Sequence, residues 1–153
     1  MENFEAEGST FIDRPVEEVF DFICNPDVDP AELTPMEDRV TDWQELGGVG
    51  AFYRATIELA ARELDCVVHC VEHERPRKLT THMEGDLESR QRWQLAPENG
   101  GTRLSLDIEL ERPHWVPPYL REERAARNWA QMLVEQTLAL VRGAMQGERH
   151  AAG

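Results

Sequence analysis

The chain has 153 residues, enough for one compact domain with a sizeable core, and its formal charge of -14 argues against nucleic acid, whose phosphates need a basic footprint. Hydrophobic residues make up 41%, and no apolar run approaches the ~20 residues that span a bilayer, so membrane insertion is not expected. Three cysteines without framework spacing suit a reducing compartment, and Met1-Glu2-Asn3-Phe4-Glu5 lacks the basic flank and apolar block of a signal peptide, so a cytoplasmic protein is expected.

An opening strand is predicted from Phe4 to Ile12, followed by Asp13-Arg14-Pro15. Asp13 is the predicted helix cap, and Pro15 suits a first helical turn. Val16, Val19, Phe20 and Ile23 then share one helical face until Asn25-Pro26 stops the run. A short helix is predicted around Pro30 to Leu33.

From Met36 to Glu111 short segments alternate with turn signals at Leu46 to Gly50, Ala60 to Glu63, Glu74 to Arg77, Asp86 to Glu88 and Glu98 to Gly101. That spacing predicts an antiparallel meander. After Pro113-His114-Trp115-Val116-Pro117-Pro118, one long helix is predicted from Tyr119 to Gln146. Its apolar stripe would be Ala126, Trp129, Ala130, Leu133, Leu140, Val141 and Ala144. No repeat or linker divides the chain, so residues 1–147 are expected to form one domain and 148–153 a disordered tail.

The stretch Leu64 to His73 holds Cys66, His69, Cys70 and His73, which on a helix would share one face as a metal site. It alternates instead like a strand, with Leu64, Cys66, Val68 and Cys70 on one side and Asp65, Val67, His69, Val71 and His73 on the other. On a strand the two cysteines would be roughly 13 Å apart, too far for a disulfide or one shared ion. No metal and no cofactor are therefore expected, and His69 and His82 are read as solvated neighbours on the outer face.

Counting outward from the predicted loops sets a register. His73 opposes Lys78, Cys70 opposes Thr81, Thr81 opposes Trp93, and Trp93 opposes Leu106. Likewise Val68 opposes Met83, Met83 opposes Gln91, Gln91 opposes Ile108, and Tyr53 opposes Cys70. A one-residue slip would turn an apolar set to the wrong side, so the mutual agreement is informative. The predicted inner rows are apolar with a few neutral polar groups, and the sheet supplies no charged acid–base group.

This order resembles the helix-grip fold of the START-like (SRPBCC) ligand-binding superfamily, which includes polyketide cyclases and dehydrases. The resemblance rests on Ser9 to Ile23, on Gly48-Val49-Gly50 before a strand, on Gly100-Gly101-Thr102-Arg103-Leu104, and on the terminal amphipathic helix. It implies an α+β fold in which a curved antiparallel sheet wraps a long C-terminal helix, with an apolar cavity between them. Within that frame Tyr53, Thr81, Ser89, Gln91, Trp93 and Trp129 are the ligand-binding candidates, with ordinary core packing as the alternative for each. Gln91 is the sharpest, because its amide needs several hydrogen-bond partners. His114, in the stiff aromatic segment before the long helix, is the candidate catalytic group if the protein is an enzyme. The expected function is binding of a small hydrophobic, aromatic or polyketide-like molecule. The alternatives are a polyketide cyclase or dehydratase, and a protein-interaction module whose cavity is filled by side chains. The composition does not set the oligomeric state.

Overall fold

A computed structural model describes residues 3–25, 37–41, 46–59, 62–111 and 122–147. The element order is β1 (Asn3–Ile12), α1 (Val16–Cys24), β2 (Glu37–Thr41), β3 (Phe52–Leu59), β4 (Arg62–Glu74), β5 (Lys78–Gly85), β6 (Ser89–Glu98), β7 (Gly101–Glu111) and α2 (Glu123–Gln146). The strands form one curved antiparallel sheet in the order β1-β7-β6-β5-β4-β3-β2. Strand β1, separated from β7 in the chain by α1 and the meander, pairs with it at the sheet edge, with Ala6 opposite Ile108. The helix predicted around Pro30 to Leu33 and the His114 segment lie outside the described residues.

The two faces of the sheet follow from strict alternation. In β4 Leu64, Cys66, Val68 and Cys70 are buried, and in β7 Leu104, Leu106, Ile108 and Leu110 are. Both sets point to the side that α2 covers, where apolar area leaves water at about 25 cal/mol per Å². Helix α1 buries Val19, Phe20, Ile23 and Cys24 and closes one end. Its N-cap is Pro15 without a side-chain cap, so Asp13 is not the cap. Proline supplies the pre-set φ that starts the turn, and the Asp13 backbone N–H instead donates to Gln146 Oε1 at the far end of α2.

Helix α2 runs along β1 and β7 and ends at Gly147, whose φ of 74° is the left-handed conformation glycine adopts freely. It buries Ala126, Ala130, Leu133, Val134, Leu138, Val141 and Met145. The stripe is thus rotated from the predicted one. Val134, Leu138 and Met145 enter it, while Leu140 is exposed and Ala144 half-buried. Gly8 explains part of this, since a Cβ there would sit 3.1 Å from Val134 and 3.4 Å from Leu138. The bare backbone of β1 lets the helix close on that side.

The register keeps every predicted parity from Tyr53 to Cys70 and from Thr81 to Leu106, with local shifts of two. Cys70↔Thr81, Val68↔Met83, Gln91↔Ile108 and Trp93↔Leu106 stand as expected. Thr81 faces Gln91 instead of Trp93, and Tyr53 faces Val68 instead of Cys70. At the β5–β6 corner Gly85 adopts φ 124°, and Asp86 Oδ2 accepts the Asp65 N–H at 2.9 Å. That bend ends pairing at Met83↔Ser89, widening the connection by two residues.

One predicted position changes face. The β4–β5 ladder is broken by a bulge between Cys70 and Glu72, after which Glu72 faces Thr80 and His73 faces Leu79. The extra residue makes Glu72 an outward position and turns His73 inward. Val71, left on the outside, is 42% exposed.

Candidate functional site

The inner face of β4 to β7 divides into two apolar clusters. One joins α1, β7 and α2 through Phe20, Leu79, Leu104, Leu106 and Val134, among others. The other gathers Leu64, Cys66, Val68, Met83, Leu87 and Leu110 at the opposite end. Half-buried Tyr53 and Trp129 pack against both clusters, and half-buried Trp93 against the first. Each of the three rings is thus only partly covered by the apolar packing around it.

A chain of neutral polar groups lies on the same face. Thr81 Oγ1 donates to Gln91 Oε1 at 2.7 Å, and Gln91 Nε2 donates to Ser89 Oγ. Thr81 and Ser89 are buried, while Gln91 is half-buried. The Gln91 amide therefore finds protein partners on its own strand and its neighbour, through the side chains that the two-residue shift brings opposite. Five of the six predicted ligand-binding residues (Tyr53, Thr81, Ser89, Gln91 and Trp93) lie on the inner side of the sheet, and Trp129 comes down from α2.

The inner face also carries a group absent from the predicted rows. His73 Nε2 lies 3.9 Å from Cys24 Sγ, and the His73 ring meets Phe20 edge-on with centroids 5.1 Å apart. The histidine is thus held under α1. A sequence signal existed: unbroken alternation past Cys70 would bury Glu72, a conflict that the bulge resolves by turning Glu72 outward.

Electrostatics on this face favour neutral groups. Burial pushes the Cys70 thiol up, outweighing a smaller lowering influence of the Glu72 backbone. A thiol held neutral is a weak nucleophile. The charged pairs sit elsewhere, as with Asp21, whose carboxylate receives two bonds from the Arg75 guanidinium at 2.8 and 2.9 Å and is held below the usual carboxylate range by them. The cysteines and histidines of Leu64 to His73 do not converge. Cys66, Cys70 and His73 point inward, and His69 points outward.

A separate groove of about 410 Å³ lies between edge strand β1 and the far flank of α2, lined by Gly8, Thr10, Leu138 and Arg142 among others. It contains none of the six predicted residues.

A curved antiparallel sheet with a long C-terminal helix packed on one face defines a helix-grip protein of the START-like class. The chain belongs to the polyketide cyclase / dehydrase and lipid transport family, whose model matches residues 3–146. No curated protein matches the sequence. Among solved structures it is similar to TTHA0849 from Thermus thermophilus, with TM-score 0.74, 19% identity, and coverage of 94% of this chain and 98% of that one. The di-domain ARO/CYC StfQ from the steffimycin biosynthetic pathway gives TM-score 0.71 at 14% identity, covering 97% of this chain and 53% of that one. Ara h 8.0201 gives TM-score 0.63 at 11% identity, covering 95% and 99%. At these identities the likeness is one of fold. Among the described residues, no helix is long and apolar enough to cross a membrane.

Proposed function

We propose that the protein binds a small hydrophobic molecule between the inner face of the sheet and α2. Tyr53, Trp93 and Trp129 form its apolar walls, and Thr81, Gln91 and Ser89 meet a polar end of the ligand. The observation that carries this reading is the juxtaposition of half-buried aromatics with a neutral hydrogen-bonding chain on one covered face. Such pockets recognise ligands by apolar area, with a few polar groups fixing orientation. The ligand expected is uncharged or weakly polar, in keeping with an acidic protein whose Cys70 thiol is held neutral.

Native mass spectrometry of protein purified from its own host tests this through a retained small molecule. Titration with a hydrophobic fluorescent probe, followed by tryptophan quenching, gives the second measurement. Ala55, buried on the inner side of β3 two residues from Tyr53, is the place to fill. Ala55→Phe should remain folded and lose uptake, and uptake equal to the parent would move the site elsewhere.

The second reading is a cyclase-type enzyme, favoured by the similarity of fold to StfQ. Positioning a flexible chain would then supply much of the rate, with His114 moving protons. Conversion of a linear poly-β-ketone analogue by the parent, lost in His114→Ala, would favour this reading over simple carriage.

A further inference from the structure

The convex face of the sheet carries a constellation separate from the hydrophobic site. His69 of β4 and His82 of β5 stand directly opposite each other in the ladder. Their rings meet edge-on, with centroids 5.6 Å apart. Glu84, two residues along β5 and on the same side, points its Oε2 back at both. That oxygen is 3.8 Å from His69 Nε2 and 3.4 Å from His82 Nδ1. The three donor atoms all lie within 4.8 Å of one another.

Two of these spacings approach what a metal ion imposes, and the third lies within 4.8 Å. Around a tetrahedral zinc with bonds of about 2.0–2.2 Å, neighbouring donor atoms sit roughly 3.3 Å apart. The Glu84–His82 spacing is already there, and the Glu84–His69 spacing is half an ångström wide. Both histidines rise from adjacent hydrogen-bonded strands, which fixes the backbone beneath the three donors. The imidazoles are held against each other at 30% and 28% exposure, so part of their ordering is complete before an ion arrives. Positive charge nearby comes from Arg90, which faces His82, and Arg54, which faces Val67. Glu109 sits opposite Arg90, and Asp65 shares the face with Arg54.

We propose that His69, His82 and Glu84 bind a first-row divalent cation, with zinc the best fit, on the convex face of the sheet. Two imidazoles and one carboxylate favour zinc, nickel or copper over magnesium or calcium, which prefer all-oxygen sites. Three protein donors leave a fourth position facing solvent, as at zinc centres with an open coordination site. The ion would clamp β4 to β5 from outside, while Val68, Cys70, Thr81 and Met83 of the same strands face the helix.

The full-length, untagged protein, stripped with chelator, is titrated with zinc by calorimetry and with cobalt(II) by absorption. One equivalent is expected to bind saturably, with visible cobalt bands and without thiolate charge transfer. Outer-shell partners already change metal affinity by 10–100-fold, so His69→Gln, His82→Gln and Glu84→Gln should each weaken binding by at least about tenfold. Cys24→Ser and His73→Gln should bind as the parent does. In the unaltered protein, one equivalent of zinc should shift the ring resonances of His69 and His82 and leave those of His73 in place, a readout that does not depend on any variant folding. No saturable binding, thiolate charge transfer, affinity unchanged in the three ligand variants, or unmoved His69 and His82 resonances would each overturn the assignment.

Discussion

His73 Nε2 lies 3.9 Å from Cys24 Sγ, joining the inner face of β4 to the last turn of α1. The same ring is packed edge-on against Phe20, whereas His69, four residues earlier, looks outward from the same strand. Two histidines of one alternating segment thus have opposite surroundings, and a single bulged residue separates them.

The first prediction follows from that difference. His73→Ala removes an aromatic pair worth about 0.5–1.5 kcal/mol and leaves a void under α1, for a total of about 1–3 kcal/mol. His69→Ala, measured with chelator present, loses a more exposed ring pair with His82 and leaves no void, so it should cost under about 1 kcal/mol. Urea unfolding of the two variants checks this, and equal losses would mean that His73 is not packed inside.

The β5–β6 corner should tolerate no side chain at Gly85. A Cβ there would lie 2.5 Å from the Asp65 carbonyl oxygen, and the φ of 124° is one that L-residues rarely adopt. Backbone must move, so Gly85→Ala should cost about 1–3 kcal/mol, comparable to overpacking a core. Gly48→Ala meets nothing within 4 Å and serves as the control, expected to be neutral or slightly stabilising. Thermal unfolding of the two variants separates local strain from a general effect of losing glycine.

Low pH should weaken the tie between α1 and the β4–β5 turn. The Arg75 hydrogen bonds hold Asp21 below its ordinary value, so the folded state binds its proton less readily than the unfolded chain does. The stability this supplies is present above the unfolded carboxylate pKa of about 3.9 and is lost as pH falls through the lower folded value. Asp21→Asn should therefore flatten the acid limb of a stability–pH profile below about pH 4. An unchanged acid limb would show that the pair is too well solvated to matter.

The polar chain on the inner face is open to a mutant cycle. Gln91→Leu leaves the buried hydroxyls of Thr81 and Ser89 without their partner, which should cost about 1–3 kcal/mol. Thr81→Val with Gln91→Leu should recover part of that loss, since an unmatched polar group is worse than none. Simple additivity in guanidinium unfolding would show that the three groups do not act as a unit. Probe affinity in the same variants tells whether the chain also orients a ligand.

Much of this protein is fixed by side-chain parity along its strands. Leu64, Cys66, Val68 and Cys70 alternate with polar neighbours, and that pattern decides which way each side chain points before any contact forms. Asn99-Gly100 sets the β6–β7 turn, with φ values of 50° and 82° that this dipeptide adopts readily. The inner placement of Tyr53, Thr81, Ser89, Gln91 and Trp93 was legible for the same reason: a shift of two residues leaves a strand's faces unchanged. What only the tertiary structure decided are the departures that need partners in space. The bulge at Val71 resolves a conflict between burying Glu72 and pairing β4 with β5. The rotation of α2 toward Val134 and Leu138 follows from their close approach to Gly8. The partners of the Gln91 amide depend on where the Gly85 corner ends the ladder. Local alternation sets facing, whereas register, bulges and helix roll are settled by packing between residues far apart in the chain.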